Sequence, residues 1–274
     1  MTATSYEWTP QTIQRFWEHY KTGPEAQYFC YWFGTGLTNF LVDTGRVKPG
    51  ILYLDYGCGQ GFLLERMLEK QVRCYGVDSS FKAVQFVNQR FEGNYYWMGA
   101  TTVSESKAAL PAGSFDLISC VETLEHVLGG LEELIGNIYQ LLKPGGVALF
   151  TTPNEENLEH SQIYCPFCEA MYHKVQHLRS FSSQSLSSLL DSQGLKTIFC
   201  GGLDLSAFQQ PWTLPDWQDV SFRTLANWFT QRKHRLIDKL APRVFPDGRG
   251  FKHRLKSVDS PSLCAVVERP LVQQ

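Results

Sequence analysis

Apolar positions along the chain follow two alternating rhythms. Short runs at Ile51, Leu52 and Leu54, then Arg73–Val77, Tyr95–Met98, Leu117–Cys120 and Val147–Phe150, are too brief for helices and read as buried strands. Between them the sequence reads as helix over Phe62–Glu69, Phe81–Phe91 and Leu131–Leu142, the last stopped by Lys143-Pro144-Gly145-Gly146. Ser182 is placed to cap a helix over Ser183–Ser192, and strands follow at Lys196–Cys200 and Ser262–Glu268. Ahead of them all, Thr9–Lys21 and Glu25–Val42 read as helices. The first puts Ile13, Phe16, Trp17 and Tyr20 on one face, and the second is dense in aromatics, Tyr28 and Trp32 among them. Such a stripe is either core or a lid over a pocket. Strands alternating with helices predict an α/β fold.

The break after the first strand carries the chemistry. Asp55 closes the strand, and Gly57, Gly59 and Gly61 then alternate before a helix begins at Phe62. A strand that turns at once into a helix needs residues tolerant of unusual dihedrals and of close backbone approach. The bare backbone leaves room for a ligand beside the helix's first N–H groups. Asp78 ends the second strand, 17 residues beyond Gly61. An acid there can accept hydrogen bonds from both hydroxyls of a ribose.

Asp55-x-Gly57-Cys58-Gly59-x-Gly61 resembles the (D/E)-x-G-x-G-x-G loop of class I AdoMet-dependent methyltransferases. Phe115-Asp116 through Leu124-Glu125-His126 resembles the same family's fourth-strand signature, and Leu141-Leu142-Lys143-Pro144-Gly145-Gly146 through Pro153-Asn154 its next run. The resemblance implies a Rossmann-like, doubly wound, seven-stranded sheet whose last strand is antiparallel, with an N-terminal helical lid and a long insertion before that strand. It divides the chain into a lid (1–45), a core (46–204, including a Cys/His loop at 155–181), a basic insertion (205–260) and a final strand with tail (261–274). AdoMet is then expected against Asp55, Gly57, Cys58, Gly59, Gly61, Asp78, Ser79, Val121 and Glu122. Adenine recognition is open, because Gly99-Ala100-Thr101 stands where relatives often have an acid; backbone groups or Thr101 are left for it. Asp116 opens its strand, far from the site, and is expected to be structural.

The implied activity is methyl transfer to an O or N nucleophile of a small metabolite or sugar. His126 is a candidate base or a packed histidine shaping its loop. His177-Leu178-x-x-Phe181-Ser182 resembles a run in UbiE/UbiG-like methyltransferases whose histidine lines the acceptor pocket, so His177 is a second candidate base. Tyr28, Trp32, Asn154 and Arg179 are candidate pocket residues. Two other readings stay open: an RNA methyltransferase and a non-catalytic AdoMet-binding protein.

Cys165-x2-Cys168, with His173 and His177 after it, has the residue types and spacings of a tetrahedral zinc set. The alternatives are two reduced thiols under a surface loop, or a redox pair. Composition narrows the class. The chain has 274 residues, 43% of them hydrophobic, and a net charge of −2. It shows no secretory leader, so its eight cysteines are expected as thiols in the cytoplasm. No run reaches the roughly 20 apolar residues of a membrane span. Ser221–Lys256 holds ten Lys or Arg against Asp238 and Asp247. That stretch is either a solvated face or a contact for an anionic substrate, an acidic partner, a membrane surface or RNA. With no separate nucleic-acid module visible, a small-molecule acceptor is favoured over nucleic acid.

Overall fold

The structure is a computed structural model that describes residues 4–20, 28–209 and 257–271. The basic stretch Ser221–Lys256 and the first residues of the second predicted helix lie outside them. In chain order the elements are β1 (Thr4–Ser5), α1 (Pro10–Tyr20), α2 (Phe29–Asp43), β2 (Leu52–Tyr56), α3 (Phe62–Leu68), β3 (Arg73–Asp78), α4 (Phe81–Arg90), β4 (Trp97–Thr102), α5 (Val103–Ala109) and β5 (Phe115–Val121). They continue with α6 (Leu131–Leu141), β6 (Leu142–Pro153), β7 (Gln162–Tyr164), β8 (Ala170–His173), α7 (Ser183–Ser192), β9 (Lys196–Gly202) and β10 (Ser262–Glu268).

The main sheet has seven strands in the order β4-β3-β2-β5-β6-β10-β9. Strands β4 to β6 pair in parallel, while β10 runs antiparallel between β6 and β9. Side chains alternate faces along each strand, which splits the core in two. Tyr53, Leu117, Cys264 and Val266 pack with α2, α3 and α4; Leu54, Ile118, Ala265 and Val267 pack with α6 and α7. The expected Rossmann-like architecture is therefore present, last strand included. Asp116 is structural, as expected: its carboxylate accepts from the backbone N–H of Leu52 at 2.9 Å and pairs with Lys143.

Two features depart from the sequence reading. The strand expected at Tyr95–Met98 starts at Trp97 and runs to Thr102, where α5 begins at once. Thr102 and Glu105 form a reciprocal capping box there, a spacing visible in the sequence. A second, three-stranded sheet of β1, β8 and β7 was not expected. In it Thr4 and Ser5 pair in parallel with Ala170 and Met171, so the chain ahead of α1 is strapped to the Cys/His excursion.

Candidate active site

The parallel strands end on one side, and a cavity of about 830 Å³ opens there, within the size range of small-molecule sites. Its floor is the β2–α3 turn, and its walls come from the ends of β3 and β5. Gly57 has φ +89°, and a Cβ there would sit 2.4 Å from Thr123 Oγ1, so the turn requires glycine. The N–H groups of Gly57 and Cys58 both donate to the Val77 carbonyl, drawing the turn onto the end of β3. Asp78 is buried, and its two oxygens accept from the N–H groups of Gly59 (2.9 Å) and Ser80 (2.8 Å). A carboxylate and a bare backbone thus face the same hollow. That is the cradle a ribose and the adjoining part of AdoMet need, and the residues present fit it.

Asp55, Gly57, Cys58, Gly59, Asp78, Ser79, Val121 and Glu122 all line this cavity, as does Tyr28. Gly61 does not: it caps α3 with φ +82°, and a Cβ there would meet the Phe91 ring at 2.8 Å, so its task is close packing behind the turn. Thr101 does not either, because its hydroxyl donates to Glu105 in the α5 cap. Val103, Ser104 and Lys107 of α5 line the wall instead. Trp32 faces solvent, 57% exposed. Asn154 is fastened to the far side of β10 by bonds to Ser260 and Pro261, and Arg179 also lies outside the lining.

The cavity's roof is α1, which contributes Ile13, Trp17 and Tyr20 and has no buried residue of its own. Trp17 Nε1 donates to Gln176 Oε1 (2.8 Å), and Gln176 Nε2 donates to the His126 carbonyl (3.0 Å). The Trp17 ring also meets His126 edge-on at 4.6 Å. Gln176 is fully buried at φ +60°, an uncommon conformation for a residue with a side chain.

Acidic groups crowd the floor. Asp55 accepts from Ser119 Oγ at 2.6 Å, yet burial pushes its pKa up to about 7. Burial likewise raises Glu122 to about 7, against a hydrogen bond from Thr151. Glu125 is fully buried, and burial followed by the charge of Glu122 holds its carboxyl well above the ordinary range. His126 goes the other way: burial, then the neighbouring His177, lowers it to about 3. Its Nδ1 faces the Gln176 carbonyl at 3.3 Å and its Nε2 lies 3.7 Å from Glu125 Oε1. His126 is thus a ring whose charge burial opposes, wedged against a carboxyl whose ionisation burial also opposes.

The expected Cys165–Cys168–His173–His177 set is not assembled. Cys165 and Cys168 sit at the tip of the β7–β8 hairpin, where Cys165 N–H bonds Ala170. His173 is paired with Gln162 at the open end. Three extended residues separate tip from end by about 10 Å. The histidines join carboxylates instead. Glu125, His126 and His177 form one trio with ligating atoms within 4.8 Å of one another, and Glu156, His173 and His177 form a second. The second trio is internally hydrogen-bonded. His173 Nδ1 accepts from the His177 backbone N–H at 3.1 Å, which leaves its proton on Nε2, facing Glu156 rather than offering a lone pair to a metal. Glu156, which the sequence reading passed over, is the hub of that group.

Comparison with known proteins agrees with this geometry. A ubiquinone biosynthesis O-methyltransferase of Azoarcus sp. (strain BH72) is 35% identical over 102 residues, covering 37% of this chain and 43% of the relative. The chain thus spans under half the length of that relative. The Burkholderia thailandensis protein of the same name is 25% identical over 186 residues, 66% of this chain and 80% of the relative. The solved 1,6-didemethyltoxoflavin-N1-methyltransferase of B. thailandensis, holding 1,6-didemethyltoxoflavin and S-adenosylhomocysteine, superposes with a TM-score of 0.56. The match is at 12% identity, over 97% of this chain and 92% of that one, a likeness of fold. The family model for the methyltransferase domain matches residues 26–198, and the chain belongs to that family, in its class I form.

Proposed function

We propose that the protein transfers a methyl group from AdoMet to an oxygen or nitrogen nucleophile of a small molecule held beneath α1. The observation that carries this is continuity: the glycine turn and Asp78 line the same cavity as His177, Trp17 and Tyr20. Asp78, Ser79 and the Gly57–Gly59 backbone would hold the cofactor, which supplies an electrophilic methyl on its sulfonium. The chain's own part is to hold the acceptor in line, take up a released proton and keep water out. Of the two candidate bases, His177 suits the role. Its ring lines the cavity and its Nδ1 is engaged by Glu156, whereas burial opposes a charge on His126. An oxygen acceptor is in keeping with the names of the curated relatives.

The aromatic roof supports reading α1 as a lid, whereas Leu37, Phe40 and Leu41 of α2 belong to the core. Among the described residues no helix is long and apolar enough to cross a membrane. A cytoplasmic setting accords with cysteines held as thiols. The test is release of S-adenosylhomocysteine when the protein is given AdoMet and a panel of small phenols, enols, amines and sugars. Turnover with a member of the panel that disappears in His177→Ala, with AdoMet affinity retained, is the expected result. Turnover unaffected by that change removes His177 as base.

A further inference from the structure

Neither Glu156 nor His173 lines the cavity, yet both stand behind the base named above. Both belong to the excursion between β6 and α7 and are held against His177. The excursion is closed at its neck by the Glu155 N–H bond to the Phe181 carbonyl (2.9 Å) and the Asn154–Phe181 bridge. This fixes Glu156 beside residue 177. His177 Nδ1 lies 2.5 Å from Glu156 Oε2, and His173 Nε2 lies 3.3 Å from the other oxygen. The two imidazoles stack at 4.6 Å with 16° between their planes. His173 is 5% exposed and is placed by its pairing with Gln162 across the hairpin.

The proton positions follow from two hydrogen bonds, His177 Nδ1 with Glu156 and His177 N–H to His173 Nδ1, while His173 Nε2 meets Glu156 as a 3.3 Å charge contact short of a hydrogen bond. A carboxylate only accepts, so the proton between His177 and Glu156 belongs to Nδ1. The His177 backbone N–H only donates, so His173 carries its own proton on Nε2 and turns it toward Glu156. The tautomer of His177 is therefore dictated from behind, and its remaining nitrogen, Nε2, keeps a lone pair. We propose that Glu156 is the positioning carboxylate of His177, and that His173 holds Glu156 in place from the far side. The residues act as a His–carboxylate–His relay that sets which nitrogen of His177 takes the acceptor's proton.

The proposal rests on the methyl-transfer reading and names its base more closely. In the step concerned, the acceptor's O–H bond breaks, the proton bonds to Nε2 and the electron pair stays on the acceptor oxygen. Glu156, part-buried, then faces an imidazolium instead of an imidazole, which is how a neighbouring carboxylate stabilises a histidine base. The other titratable groups facing this cluster are Glu125 and His126 beside His177, Glu122 beyond them, and Lys174 next to His173. The charge of Glu156 contributes to the raised values of Glu122 and Glu125.

The test uses full-length protein with 15N-labelled histidine and, separately, steady-state kinetics. Without any substrate, the His177 ring should show the Nδ1–H tautomer in the wild type and in Glu156→Gln, whose amide oxygen still accepts. In Glu156→Ala and, partly, in His173→Gln that preference should be lost. A wild-type ring in the Nε2–H form would overturn the proposal even if the protein is an active methyltransferase. With an acceptor in hand, Glu156→Ala should lower kcat by about 100-fold with KM for AdoMet unchanged. Combined with His177→Ala it should cost no more than His177→Ala alone. Additive losses would show that Glu156 does not act through His177. If no acceptor turns over, the methyl-transfer reading fails while the tautomer measurement still decides the relay.

Discussion

At the scale of single residues, the site is an arrangement of buried carboxyls whose protonation is shifted by their surroundings. Asp55 moves from its ordinary 3.8 to about 7, and Glu122 from 4.5 to about 7, because burial removes the water that would solvate their charges. Each binds its proton more tightly in the folded chain than in the unfolded one. The stabilisation they give is therefore complete below pH about 4 and is lost as pH rises through about 7. His126, lowered to about 3, has the opposite sense: its share is complete above 6.5 and is lost on acidification. A difference between variants separates the two. Asp55→Asn keeps an acceptor for Ser119 and removes the titration, so its thermal midpoint should fall less than the wild type's between pH 5 and 8. Parallel curves would mean that Asp55 is charged across the whole range. Gly57 makes a steric prediction at the same scale. Alanine there meets Thr123 Oγ1 at 2.4 Å in a left-handed conformation, a strain of about 1–3 kcal/mol. Gly57→Ala should weaken AdoMet binding at least tenfold in a calorimetric titration, whereas Gly136→Ala, with open space around its Cβ, should leave it unchanged.

Among the elements, α1 is held by few contacts and those contacts lead to the site. It has no buried residue, and the Trp17–Gln176–His126 chain of hydrogen bonds is one link to the floor, beside the Glu18–Lys82 ion pair and the Tyr20–Tyr28 ring contact. Trp17→Phe keeps the ring against His126 and deletes one bond, a loss of about 1 kcal/mol. Hydrogen exchange should then quicken in α1 and the 174–178 segment while β2 and β5 stay protected. An unchanged α1 would mean that the strap of β1 on β8 suffices to hold the lid. The β7–β8 hairpin makes a second prediction. Its cysteines and histidines stand at opposite ends, so the hairpin is held by backbone pairing. Dialysis against a chelator should leave the thermal midpoint of the wild type equal to that of Cys165→Ser. A midpoint that falls on metal removal and recovers with zinc would show the four side chains meeting in solution.

For the molecule as a whole, the sheet was legible because most of its strands hold a short apolar run between helical periods, β4 being the exception. The strand that ends at Asp78, the helix capped by Ser182 and the last strand at Ser262–Glu268 are all where the pattern puts them. Three parts were hidden. Helix α5 is too polar to show a period, although the Thr102–Glu105 cap was readable. The three-stranded sheet joins residues 4–5 to residues 170–171, a pairing that no local pattern announces. Glu156 sits in a loop, and its meaning comes only from histidines 17 and 21 residues later. The Cys/His spacing misled for the same reason, since an extended strand intervenes between its halves. The glycines and Asp78 predict a nucleoside cradle, and Gly57, Gly59 and Asp78 line one cavity. The most direct test is calorimetry with S-adenosylhomocysteine on the folded protein and on Asp78→Ala. One saturable site in the wild type, lost in the variant while its thermal unfolding stays cooperative, is the predicted result. No heat of binding to well-folded wild type would contradict the account.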